Sequence, residues 1–122
     1  MKSKIAFSLL LAGGLYAAFP ATPVAVNFQD NVSSVYLKSE TKIYFGLSNG
    51  LVYNGTTVRF LVVDRATVDP DNFEKIYSLL VTAQLSSKRI KGSYDGANIS
   101  NPTGDGNCAN LMSNNNTVQI TN

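Results

Sequence analysis

Outside its first residues, the chain shows a helical spacing of apolar positions in one stretch, Asp69 to Arg89. At about 100° per residue, Phe73, Ile76, Tyr77, Leu79, Leu80 and Ala83 fall in one arc, with Lys75, Ser78, Thr82 and Ser86 opposite. Asp69 suits the N-cap, Pro70 the first helical position, and Asp71 the positive end of the helix dipole. Lys88 and Arg89 suit the negative end, and a strand pattern begins at Ile90. Val81 and Leu85 lie about 80° and 120° from Phe73 on this wheel, outside the main arc. They form an apolar strip beside Glu74, which is a candidate subunit contact.

Every other pattern is of the strand type. Val32 to Leu37 predicts a first strand with imperfect alternation, and Lys42 to Leu47 a second, with Ile43, Phe45 and Leu47 on one face and Tyr44 on the other. Asn49-Gly50 and Asn54-Gly55 mark two tight turns around Leu51 to Tyr53. Thr57 to Asp64 reads as one continuous strand in which Val58, Phe60 and Val62 share a face while Leu61 and Val63 make the other apolar too. Such a strand is expected at the centre of a sheet, covered on both sides, with the helix on one of them. After the helix, Ile90, Gly92 and Tyr94 alternate with Arg89, Lys91 and Ser93, so the wet face is basic. Asp95 to Asn116 reads as loop. Thr117 to Thr121 closes the chain as an edge strand with Val118 and Ile120 facing in. The order β-β-β-α-β-β predicts a mainly β domain with one helix, in the order of the five-stranded barrel called the OB-fold.

The leading segment changes the picture of charge and compartment. Lys2 and Lys4 precede an apolar run from Ile5 to Phe19, interrupted by Gly13 and Gly14 and ended by Pro20. This pattern predicts a secretory signal peptide over residues 1–25, cleaved after Ala21 or Ala25, and a single domain over 26–122 with no membrane span after cleavage. The formal charge of +2 then vanishes, because two of the ten basic residues go with the leader and eight remain against eight acidic ones. No Lys/Arg cluster is left to follow a phosphate backbone, so nucleic acid is not an expected partner. Cys108 is the only cysteine. It cannot pair within the chain, which leaves a buried small side chain, an intermolecular disulfide or a reactive thiol, and the lack of any His beside it favours the first two.

The run Phe73 to Arg89, the strand Ile90 to Asp95 and the loop Gly104-Asp105-Gly106-Asn107-Cys108 resemble small exported bacterial proteins related to the B subunits of A–B-type toxins with pentameric B rings. Phe60 to Asp64 extends the likeness. The resemblance implies an OB-like barrel that binds a glycan or a protein and assembles as a homo-oligomer. In ring-forming relatives the helices face the central pore, which would place Val81 and Leu85 at a subunit contact. The family joins its late cysteine to an earlier one, and this chain has none near Asn54 to Val58.

The chain contains no His, which excludes Ser-His-Asp and Cys-His nucleophile systems and every His-ligated metal site. Asp64 and Asp95 each end a strand, where a solvated Asp is ordinary, and the Gly104 to Asn107 loop lacks the spacing of a calcium loop. No metal, cofactor or enzymatic activity is expected. What remains is the equipment of a binding protein, with Tyr36, Tyr44 and Tyr53 on or beside strands as the candidate ligand-binding residues. The expected function is that of an exported, secreted or periplasmic, non-enzymatic binding module. The alternative is a periplasmic structural or inhibitory protein that acts on a partner protein without a sugar site.

Overall fold

The computed structural model describes residues 21–112 and 118–121. The expected leader, as far as residue 20, the end of the expected loop (113–116) and Thr117 of the expected last strand lie outside them. Over the described residues the chain is mainly β with one α-helix, as its patterns predict. Strands β1 (Ala25–Ser39), β2 (Lys42–Leu47), β3 (Leu51–Tyr53), β4 (Thr56–Val58) and β5 (Phe60–Asp64) precede helix α1 (Pro70–Ser86). Strands β6 (Arg89–Asp95), β7 (Cys108–Asn110) and β8 (Val118–Thr121) follow it. Six strands form a mixed sheet in the order β7-β5-β2-β1-β6-β8, and β3 and β4 form a separate hairpin. All neighbours are antiparallel except β5 and β7. A further bridge, Tyr94 to Leu111, and a bond from the Met112 amide to the Ser93 carbonyl join the ends of β6 and β7.

The first strand is far longer than Val32 to Leu37. Its first half pairs with β6, from Ala25 opposite Asp95 to Asn31 opposite Arg89, and its second half pairs with β2. Between Val32 and Ser34 the register slips. This bulge explains the imperfect alternation, because Val32 and Val35 both reach the core across two intervening serines.

The continuous strand expected from Thr57 to Asp64 is in fact broken at Arg59. The amides of Arg59 and Phe60 both donate to the Asn107 carbonyl, at 2.8 and 3.2 Å, which takes the chain out of the β3–β4 ladder and into the sheet. The break also changes parity. Val58 points into the main core with Leu61 and Val63, whereas Phe60 and Val62 face the other way. The loop expected from Asp95 to Asn116 contains β7, whose three residues run parallel to Phe60–Val62.

Helix α1 buries Phe73, Leu80 and Ala83 in the main core, along with Phe28, Ile43, Phe45, Ile90 and Tyr94. Asp69 stands at the N-cap, but its backbone carbonyl, not its side chain, takes the Phe73 amide at 3.0 Å. The helix stops earlier than Lys88 and Arg89, at Ser87, which adopts the left-handed conformation (φ 55°). The amides of Ser87 and Lys88 turn back to the carbonyls of the last turn, and Asn31 Nδ2 donates to the Ser87 carbonyl at 3.0 Å. Val118 packs on the core, while Ile120, expected to face in, is 38% exposed.

Two carboxylates are buried, at 5% exposure each. Asp30 accepts from the amides of Asn31 and Asn49 and from Asn49 Nδ2. Asp95, expected to be solvated, accepts from the amides of Val24 and Ala97 at 3.1 and 2.9 Å and from Asn98 Nδ2 at 2.7 Å. Asn98 also exchanges two bonds with the backbone of Ala21. The chain entering β1 is thus tied to the turn leaving β6. Among the described residues no helix is long and apolar enough to cross a membrane.

Candidate functional site

Parity gives β1, β2, β5 and β7 a second apolar face, turned away from the main core. On it Tyr44 and Val62 are buried at 7% exposure each and Cys108 at 4%, with Phe60 packed against them. Tyr36 stands directly opposite Tyr44 in the β1–β2 ladder. Its ring meets Phe60 edge-on at 5.9 Å, and Phe60 in turn lies 5.9 Å from Tyr44. Tyr36 remains 51% exposed, so the cluster ends in one accessible aromatic surface.

That surface opens into a groove of about 460 Å³. Tyr36 and Phe60 form its apolar side, and Ser33, Ser34, Asn49 and Thr57 supply polar groups. The bulge in β1 brings both serines to this edge, and Gly46 keeps the space between them open. A Cβ on Gly46 would come within 2.9 Å of Ser34 Oγ and 3.2 Å of Ser33 Oγ. The buried Asp30 fixes the far rim by holding Asn49 through its backbone and its side chain.

Cations edge the aromatic face. The Arg59 guanidinium lies 5.0 Å from the Phe60 centroid and Lys38 Nζ 5.6 Å from that of Tyr44. Arg59 also donates to the Asp105 carbonyl, and Lys38 stands 3.8 Å from the Asp105 carboxylate, so the loop before β7 is drawn to the same face. Both partners of that ion pair are exposed, and such a pair holds the loop only weakly. Burial pushes the Tyr44 phenol up, and Cys108 and Asp105 push it the same way. Burial also raises the Cys108 thiol, with Asp105 adding to the effect and Lys38 opposing it. A buried thiol with a raised pKa stays protonated at neutral pH and is a poor nucleophile.

The three sequence-predicted tyrosines do not share one place. Tyr36 and Tyr44 belong to this face, one exposed and one beneath it. Tyr53 sits on the β3–β4 hairpin and lies over Gly96, where a Cβ would meet its ring at 2.9 Å. On α1, Leu85 is 81% exposed and Val81 half-buried. Asp64 and Asp95 lie on strands separated by β2 and β1. Asp64 pairs with Lys42 at 3.8 Å and caps the 3-10 turn at Arg65–Thr67.

The sequence reading missed Ser33, Ser34, Asn49 and Phe60. Two signals pointed to the serines: their succession inside a strand, and Gly46 near the end of β2, since a glycine in a strand marks a bulge or a close approach. Chemically, the groove offers an aromatic ring for stacking, hydroxyls and a carboxamide for hydrogen bonds, and a guanidinium beside them. Compared with family models, with curated proteins and with solved structures, the chain finds no match in any of the three.

Proposed function

We propose that this chain is an exported binding protein, secreted or periplasmic and without enzymatic activity, that takes a glycan in the groove beside Tyr36. The observation that carries the reading is Tyr36, half exposed, its ring held edge-on by Phe60, in the same groove lining as Ser33 and Ser34. A sugar ring presents an apolar face for stacking and a rim of hydroxyls for hydrogen bonds, and the groove supplies both kinds of partner. The proposed scaffold is an OB-like barrel of β1, β2, β5, β6 and β7, with β8 outside it. The Tyr94–Leu111 bridge supports closure, and in that fold oligosaccharides are bound on the face of the second and third strands, here β2 and β5. The exposure of Leu85 supports assembly of several copies through α1.

The test is a glycan array probed with the wild-type protein and with Tyr36→Ala, with light scattering on the same samples. A subset of glycans should bind the wild type, and Tyr36→Ala should weaken that binding about tenfold or more while its thermal unfolding is unchanged. No signal from the wild type, or equal binding by both proteins, would overturn the reading. A monomer by light scattering at tens of micromolar would remove the assembly and leave the groove.

A further inference from the structure

From Asn27 to Asn31, the outward side of β1's first half is polar, and so are the residues of β6 and β8 that pair with it there. Gln29, Lys91 and Gln119 are cross-strand partners in one rung, and Asn27 and Ser93 in the next. Side chains bind the strands together there, since Gln29 Nε2 donates to Thr121 Oγ1 at 3.3 Å and Arg89 donates to the Gln29 carbonyl at 3.4 Å. Above these residues lies a shallow depression of about 570 Å³. A second depression adjoins it past Arg89, at the end of α1. No carboxylate lines either of them. Asp30, the acidic residue of this half of β1, turns inward and is buried. Asp95 shares this side of β6, opposite Ala25, but is buried and bonded to the Val24 and Ala97 amides and the Asn98 carboxamide, so the exposed charged side chains of these rungs are Arg89 and Lys91, a local excess of positive charge.

From this juxtaposition of three carboxamides, a hydroxyl and two cations we infer that the β1–β6–β8 face binds an anionic polysaccharide. Arg89 and Lys91 meet its sulfates or carboxylates, and Asn27, Gln29 and Gln119 meet its hydroxyls. The carboxamides can donate and accept at once, which matches a polyhydroxyl chain. Single-stranded nucleic acid fits less well, because the face presents no aromatic side chain on which a base could stack. The site is separate from the groove beside Tyr36 and does not rest on the reading given to that groove.

The experiment is calorimetric titration of the full chain with size-matched heparin and dextran oligosaccharides at several salt concentrations, including about 0.15 M. Heparin should bind, with affinity falling steadily as salt is raised, and dextran should not. Arg89→Glu with Lys91→Glu should weaken heparin binding about tenfold or more, and Tyr36→Ala should leave it unchanged. If the double variant fails to show a native circular dichroism spectrum, Lys91→Gln alone should still weaken binding. Absence of heparin binding, an unchanged affinity in a folded variant, equal binding of dextran, or loss of heparin binding in Tyr36→Ala would each overturn the assignment. Single-stranded DNA binding as tightly as heparin would overturn it in favour of a phosphate backbone.

Discussion

Leu80→Ala should lower the stability of the domain by about 2–5 kcal/mol. Leu80 has no exposed surface, and it stands on the inward arc of α1 between Phe73 and Ala83, where helix and sheet share one core. Truncating it removes the transfer free energy of the lost carbons and leaves a cavity that a helix held by two other buried contacts cannot close. Lys75→Ala, on the solvent side of the same helix, should change stability by less than about 0.5 kcal/mol. Chemical denaturation of both variants checks the contrast, and equal effects would show that the helix is rotated from the phase described.

The second large effect is expected at Asp95. Burial alone would raise its carboxyl, but the Asn98 side chain and the amides of Ala97, Val24 and Asn98 outweigh it and hold the pKa below the ordinary 3.8. The carboxylate therefore binds its partners better than the carboxylic acid does. A group depressed in this way contributes stability that is fully present above about pH 4 and is lost as pH falls through its folded-state value. Asp95→Ala should cost about 2–4 kcal/mol at neutral pH, because it leaves several donors without their acceptor. Its urea midpoint should also lose the part of the acid dependence that the wild type shows below about pH 4. Parallel pH profiles of mutant and wild type, offset by a constant, would place the acid sensitivity at another carboxylate. Hydrogen exchange should show the amide of Val24 opening in the variant first, since that end of β1 is tied down by this carboxylate.

Asp95 also shows where the sequence stopped being informative. An Asp at the end of a strand reads as a turn residue, and it is one, but its burial comes from Val24 and Asn98, which only the folded chain brings to it. The helix was legible because period, N-terminal proline and first-turn Asp all agreed over many residues. The second strand was legible for the same reason, with Ile43, Phe45 and Leu47 on one side. The first strand was half hidden, because a bulge of two serines mimics the end of a pattern, and Asp30 interrupts an inward row that runs Val26, Phe28, Val32. β7 was invisible: Cys108-Ala109-Asn110 carries no alternation and is a strand only because β5 lies beside it. The break at Arg59 left no local mark, since its cause is the Asn107 carbonyl from a distant loop. Tyr36 was legible as an aromatic on a strand, whereas its groove was not, because the groove depends on the parity change at that break and on the bulge opposite.

The two pairings of β1 also set the order in which this chain can fold. Its second half finds β2 across a turn of two residues, Glu40 and Thr41, and such a hairpin closes early because little loop entropy is lost. Its first half must wait for β6, which lies beyond β2, the β3–β4 hairpin, β5 and the whole of α1. Until then residues 25–31 are an unpaired edge, and the core has no wall beneath Phe28. The long-range docking of β6 against β1, with Ile90 and Tyr94 completing the core, is therefore expected to limit the rate of folding. Changes at Ile90 should slow folding, whereas changes in the β3–β4 hairpin should mainly speed unfolding.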